Sequence, residues 1–227
     1  MYGSPRVHRM LQRQGVRVGK KRVERLMRDA GLRGRVVRVT RRKPGFKQFI
    51  ASGENVRLAM PATSATNQVW VGDITYLKVA EHWAHLAVVM DVHSRRVLGW
   101  TLSKGRTVEI TLTALQRAIR CRTPTTGCVF HSDRGVEYMA YRYQDALRRH
   151  GMTRSVNRPS KCTDNAHMES FFHSLKAELI RGRTFSTLQE LRYALNSYIN
   201  KFYNHQRLHS GINYNTPVEY ERLATSN

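Results

Sequence analysis

"QVWVGDITYLKVAEHWAHLAVVMDVHSRRVLGWTLS", residues 68–103, contains three runs rich in β-branched and aromatic residues, 68–79, 82–92 and 95–103, with only short polar turns between them. Runs of that composition and spacing predict a three-stranded antiparallel meander. Downstream the period changes. "TVEITLTALQRAIR" (107–120) brings Ile110, Leu112, Leu115 and Ile119 to one side and predicts a helix. "CVFHSD" (128–133) predicts a fourth strand, 136–150 a helix, "MTRSV" (152–156) a fifth strand and 164–180 a long helix. Hairpin strands followed by alternating strands and helices predict an α/β fold: a mixed five-stranded sheet with helices on its faces.

Upstream, "PRVHRMLQRQGVRVGKKRVERLMRDAGLRG" spaces Val7, Met10 and Leu11, then Val23, Leu26, Met27 and Ala30, at helical intervals around a turn from Gly15 to Gly19. The second helix carries Lys21, Arg22, Arg25 and Arg28 on its outer face, as a DNA-reading helix-turn-helix would; a solvated helical hairpin is the alternative. Residues 32–47 hold seven cations and no acid, and suit either an arm along a phosphate backbone or a solvated linker. Small polar residues then mark a boundary near 66. The expected organisation is a helix-turn-helix over 1–31, a basic arm and linker over 32–66, a core over 67–182 and a helical extension over 183–227. In that extension Ser186 and Gln189 suggest a capping box, Leu188, Leu191, Leu195, Tyr198, Ile199 and Phe202 share one face, and Thr216 with Pro217 begins a last helix. Tyr203, Arg207 and His209 suit nucleic acid or packing equally.

The chain carries a formal charge of +23, with 39 Lys and Arg against 16 Asp and Glu. That excess repels itself unless the working partner is a polyanion, and nucleic acid is the first candidate. The sequence contains neither a long apolar run nor a leader pattern, so a cytoplasmic protein with no membrane partner is expected. Three cysteines without C-x-x-C spacing argue against a disulfide framework and a structural zinc site.

In a chain so basic, the placement of acids is informative. Asp73 lies inside the first strand on the face of Val71 and Thr75, Asp133 closes the fourth, and Glu169 stands at the edge of the inward stripe Met168, Phe171, Phe172, Leu175 and Leu179. A carboxylate at a strand's C-terminal end is a frequent site position in α/β sheets. Asp91 in "DVHS" reads as turn chemistry, and Asp164 and Asn165 read as caps of the glutamate helix.

Asp73 in "VWVGDITYL", Asp133 in "HSDRGVEY", Glu169 in "DNAHMESFFHSLKAE", the 35 residues between the last two acids, and Lys176 seven positions on resemble the catalytic core of retroviral-integrase-like transposases. With "YGSPRVHRML", "LAVVMDVHSRRVLGW" and "FYNHQRLHSGINYNTPVEY", the chain is similar to the second-frame (OrfB) product of insertion sequences of the IS-three type. The resemblance implies an RNase H-like core, DNA cleavage and strand transfer at element ends, and Asp73, Asp133 and Glu169 as catalytic ligands of two Mg²⁺ ions, with Mn²⁺ as a substitute. Two hard cations held by oxygen ligands would activate the attacking hydroxyl and stabilise the leaving oxygen of an inert phosphodiester. It further implies a phosphate contact for Lys176, and as partners the element ends, target DNA, the first-frame (OrfA) product or an OrfAB fusion, and further copies of the chain. Arg158 and Lys161, in the loop beside the site, are candidate DNA contacts. Members of the family usually carry further residues before "YGSPR", so a shortened, non-catalytic DNA-binding product that represses transposition is the alternative.

Overall fold

The computed structural model describes residues 2–34, 53–159 and 162–225. Two N-terminal helices, α1 (Ser4–Arg13) and α2 (Lys20–Asp29), come first in the chain. Three strands then follow one another in hairpins: β1 (Val69–Val79), β2 (His82–Asp91) and β3 (Val97–Ser103). Helix α3 (Val108–Cys121), strand β4 (Val129–Ser132), helices α4 (Val136–Met139) and α5 (Tyr141–Arg149), strand β5 (Thr153–Val156), and helices α6 (Ala166–Leu175), α7 (Leu188–Asn196) and α8 (Pro217–Thr225) complete the order. The sheet order is β3-β2-β1-β4-β5, antiparallel among the first three strands and parallel from β1 through β4 to β5. The mixed sheet is the one expected from sequence.

Alternation along β1 divides two cores. Val69, Val71, Leu77 and Val79 pack with Met168, Phe171, Phe172 and Leu175 of α6 and with Leu191 and Leu195 of α7. Trp70 and its neighbours on the opposite face pack with Ile110, Leu115 and Ala118 of α3 and Tyr143 and Leu147 of α5. The result is a three-layer arrangement with helices on both faces. Gly99 in β3 lets α3 come close: a Cβ there would lie 2.3 Å from the Ala114 carbonyl oxygen.

Several local expectations change. The helix expected over 136–150 is broken at Ala140, whose ψ of 136° is extended. Helix α6 continues in a wide, π-type turn over Lys176–Ile180, and α7 in another over Ser197–Tyr203. The cap of α7 is one residue later than expected: Thr187 Oγ1 accepts from Glu190 N at 3.1 Å, while Glu190 accepts from Ser186 N at 2.9 Å. Thr216 does cap α8, accepting from Glu219 N at 3.2 Å.

In the N-terminal pair, Gly15 and Gly31 end their helices with φ of +79° and +65°, conformations glycine adopts without a Cβ penalty. Helix α2 buries Val23 and Met27; Leu26, expected inward, is 52% exposed. Helix α1 is held against the C-terminal extension, where Arg13 pairs with Glu219 at 3.1 Å and donates to Asn215 at 3.1 Å. Of the stretch read as a linker, residues 53–59 lie along β5: Val156 N donates to Glu54 O at 3.0 Å, and Arg57 N to Ser155 Oγ at 3.2 Å. Most of the basic arm falls outside the described residues. Among the described residues no helix is long and apolar enough to cross a membrane.

Candidate active site

Parallel pairing of β1 with β4 ends at Gly72 opposite Ser132. The residues that follow are Asp73 and Asp133, on neighbouring strands whose backbones are spaced about 4.8 Å apart where they pair. Asp73 shares the face of Val71, toward α6. Its Oδ1 accepts from Ile74 N at 2.8 Å. Asp133 Oδ1 accepts from Gly135 N at 2.9 Å, making the Asp-Arg-Gly turn. At Gly135 a Cβ would come 2.9 Å from Asp133 Oδ1 and 3.0 Å from Glu137 Oε2 and would push those side-chain ends aside. Gly72 is constrained similarly, since a Cβ would lie 2.6 Å from the Phe130 ring.

Helix α6 is tied to this point by Asn165, expected to cap it. No side-chain cap bond forms. Instead Asn165 Nδ2 donates across 3.1 Å to the carbonyl of Gly72, the residue before Asp73. Glu169 follows one helical turn later, exposed. Asp164 is no cap either. Its carboxylate accepts from Arg158 N at 2.9 Å, from the Arg158 guanidinium at 2.9 and 3.1 Å, and from Asn55 Nδ2 at 2.8 Å. The Arg158 hydrogen bonds hold that carboxyl well below the usual carboxylate range. Arg158 thus fixes its own loop through Asp164, an engagement that the sequence reading, which offered it to DNA, did not include. Lys161 lies outside the described residues. Lys21, Arg22, Arg25 and Arg28 are all exposed on α2, as expected.

Lys176 begins the wide turn after α6, and its Nζ lies 5.3 Å from the centre of the Tyr76 ring, three residues along β1 from Asp73. Asp73 and Tyr76 thus lie on β1, Asp133 follows the strand paired with it, and Glu169 and Lys176 belong to the helix whose start is bonded to Gly72. They do not close into a cage: among the described residues no group of three His, Cys, Asp or Glu side chains could hold a metal ion. The donor chemistry nonetheless suits a hard divalent cation, because two carboxylates leave adjacent strands and a third stands on a helix tethered to the same strand.

Three polar residues near these strand ends escaped the sequence reading. Glu137 is 3% exposed and receives Arg106 Nε at 2.7 Å. Burial lowers the affinity of Arg106 for its proton, but the Glu137 bond and the fields of Glu137, Asp133 and Asp73 outweigh it and raise the pKa. Arg106 is thus the cation that senses both sheet aspartates. Its signal was the charge of Glu137, four residues after Asp133, which needs a partner if it is to be buried. His131, within β4, is fully buried between Ser155 Oγ at 2.8 Å and Asn157 Oδ1 at 2.7 Å, and burial pushes its pKa down to about 4.

Other polar residues settle into structural roles. Asp91, 0% exposed, accepts from Ser94 N at 3.0 Å and Asn67 N at 2.8 Å and pairs with Arg122 at 3.2 Å, so the turn reading holds and a buried ion pair is added. Arg207 is buried, donating to Glu178 and Ser174 at 2.9 Å, and Tyr203 and His209 are buried beside it. That trio packs.

The integrase core domain family model matches residues 63–162, a second integrase core domain model matches 169–223, and an HTH-like domain model matches 1–42. The chain is 34% identical over 221 residues to the transposase for insertion sequence element IS904 of Lactococcus lactis, covering 97% of this chain and 87% of that protein. It is 38% identical over 220 residues to transposase InsF for insertion sequence IS3A of Escherichia coli, covering 97% and 76%. Among solved structures, a chain of the simian T-cell lymphotropic virus intasome superposes with a TM-score of 0.60 at 18% identity, covering 90% of this chain and 67% of that one. The HTLV-2 integrase catalytic core domain in complex with magnesium gives 0.53 at 17% identity, covering 70% and 98%. At those identities the likeness concerns the fold.

Proposed function

Because the chain belongs to the insertion-sequence transposases of the IS3 family, we propose that Asp73, Asp133 and Glu169 are the carboxylates with which it cleaves element ends and joins them to target DNA. What supports this reading is the parallel pairing of β1 with β4 up to Gly72 and Ser132, the residues before Asp73 and Asp133, together with the Asn165 bond that ties the start of the glutamate helix to Gly72.

The three carboxylates would hold two Mg²⁺ ions, with Mn²⁺ as a substitute. When bound, such ions supply a reactive oxygen nucleophile and charge stabilisation at the leaving oxygen. The chain's own residues do the rest. Asp73 and Asp133 are fixed by backbone donors and cannot swing away together. Glu169, exposed on the helix whose start Asn165 ties to Gly72, is the acid that closes the set. Lys176 neutralises a phosphate of the reacting strand beside β1, and Arg106 offsets the crowding of negative charge while DNA approaches. The exposed cations of α2 hold duplex away from the chemistry. The OrfA product or OrfAB fusion and further copies of the chain would be its partners in the assembly on two element ends.

The test incubates purified protein with end-labelled terminal-repeat DNA in Mg²⁺, in Mn²⁺ and in EDTA. Metal-dependent nicking and strand joining are expected. Metal-independent products would contradict the two-ion reading, and binding without any cleavage in either ion would favour the repressor instead.

A further inference from the structure

The outward face of the β1–β2 hairpin beyond α3 is open. Tyr76 and Trp83 stand there 57% and 55% exposed, their rings 5.1 Å apart and perpendicular. Large aromatics exposed side by side form a contiguous apolar patch of the kind that marks contact surfaces. The hairpin does not need them for stability: its inner face already packs Leu77, Val79, Ala84 and Leu86 into the core, and its turn is pinned by Ala80 N donating to Phe185 O at 2.8 Å. The pair is therefore presented outward from a strand pair anchored in the core.

The surroundings identify the partner's chemistry. Lys176 Nζ lies over the Tyr76 ring at 5.3 Å. Lys78 is directly opposite Trp83 in the strand register, and His85 directly opposite Tyr76. The His85 ring in turn feels the charge of Arg106, the residue that senses Asp73 and Asp133. Lys78 pairs with Glu81 at 3.8 Å, so Lys176 is the principal cation beside the aromatic pair. An aromatic pair with a lysine over one of its rings is complementary to a strand that offers both a base ring and a phosphate. In intact duplex each base is covered on both faces, so only an unpaired or terminal base can stack.

We propose that Tyr76 and Trp83 form a stacking platform for an unpaired nucleotide of the bound DNA, with Lys176 taking its phosphate; the choice of DNA as ligand rests on the function proposed above. Tyr76 is three residues along β1 from Asp73, roughly 10 Å at strand rise. Stacking there would hold a frayed base next to the reacting phosphodiester and keep the duplex open at that point.

The experiment compares a blunt duplex with the same duplex bearing a short unpaired extension, both in EDTA so that binding is read without chemistry. Trp70 is fully buried and Trp100 half-buried, so Trp83 dominates quenching of tryptophan fluorescence. For the wild type, the extension should tighten binding about 5- to 100-fold, in line with one stacked base, and quench fluorescence. Trp83→Ala should lose that gain with blunt-duplex affinity unchanged, Trp83→Phe should keep part of it, and thermal melts should match the wild type because the side chain is exposed. The proposal is overturned if the extension confers no gain on the wild type, if Trp83→Ala keeps the full gain, or if it weakens blunt and extended duplexes alike. Loss of metal-dependent cleavage in the companion assay would count against the acidic site and leave this result standing.

Discussion

Replacing Asn165 by alanine should separate activity from stability. Its Nδ2 bond to Gly72 O, 3.1 Å long, contributes about 1 kcal/mol net. Its Oδ1 is buried and has no hydrogen-bond partner, a penalty of roughly 1–3 kcal/mol that alanine removes. The two terms nearly offset, so the melting temperature should move by no more than about 4 °C, the shift expected for about 1 kcal/mol in a chain of this size. Position is another matter. The bond registers the start of α6 against the strand carrying Asp73, and a displacement of about 1 Å at a reacting centre costs on the order of 100-fold in rate. Strand joining, followed on labelled element-end DNA under single-turnover conditions, should fall 10- to 100-fold, by roughly that estimate. Asn165→Asp should be worse in both respects, because it sets an acceptor against the Gly72 carbonyl. Joining within about twofold of wild type by a folded Asn165→Ala protein would refute the tether.

Asp91→Asn should destabilise the fold by about 1–2 kcal/mol, because Arg122 loses the charge of a fully buried partner but keeps its pair with Glu221, while the folded fraction keeps its cleavage rate; chemical denaturation and activity per folded molecule read the two. Replacing Lys21, Arg22, Arg25 and Arg28 by glutamine should flatten the slope of log affinity against log salt by about 0.9 for each phosphate no longer neutralised, and an unchanged slope would remove α2 from the DNA surface. The pKa of His209 is lowered to about 3, mainly by burial and then by Arg207. Because its folded value lies below the unfolded one near 6.5, the unfolded chain takes up the proton first, and stability should fall as pH drops from about 6.5 toward 3. His209→Gln should flatten that decline in denaturation curves between about pH 6 and pH 4.

The sheet was legible because its signals are local and repeated: alternation through 68–103 and helical spacing through 107–120 each extend over many residues. The acids could be proposed as a set from their flanking motifs and spacing, while the register that brings Gly72 and Ser132, the residues before Asp73 and Asp133, into pairing became visible only with the β1–β4 pairing. What escaped depended on single residues or distant partners. Nothing near Ala140 marks the break between α4 and α5. Asp164 looked like a cap because its ties to Asn55 and to Arg158, in the loop before it, exist only after folding. Arg207 mixed basic and aromatic surroundings in sequence, and only Glu178 on the neighbouring helix turn, at 2.9 Å, makes it a buried structural cation. Leu26 fits the helical spacing, but α2 has only a narrow contact to bury, and Val23 with Met27 fills it.

The most direct test is metal-dependent cleavage and joining by Asp73→Asn, Asp133→Asn and Glu169→Gln, each keeping shape and removing one charge. With a wild type active in Mg²⁺, all three should retain their melting behaviour, bind element-end DNA at least as tightly as before, and lose cleavage and joining by more than about 1000-fold, with double variants little worse than single ones because the acids act as a unit. Near-normal cleavage by any one of the three folded variants would contradict the account and take that carboxylate out of the site.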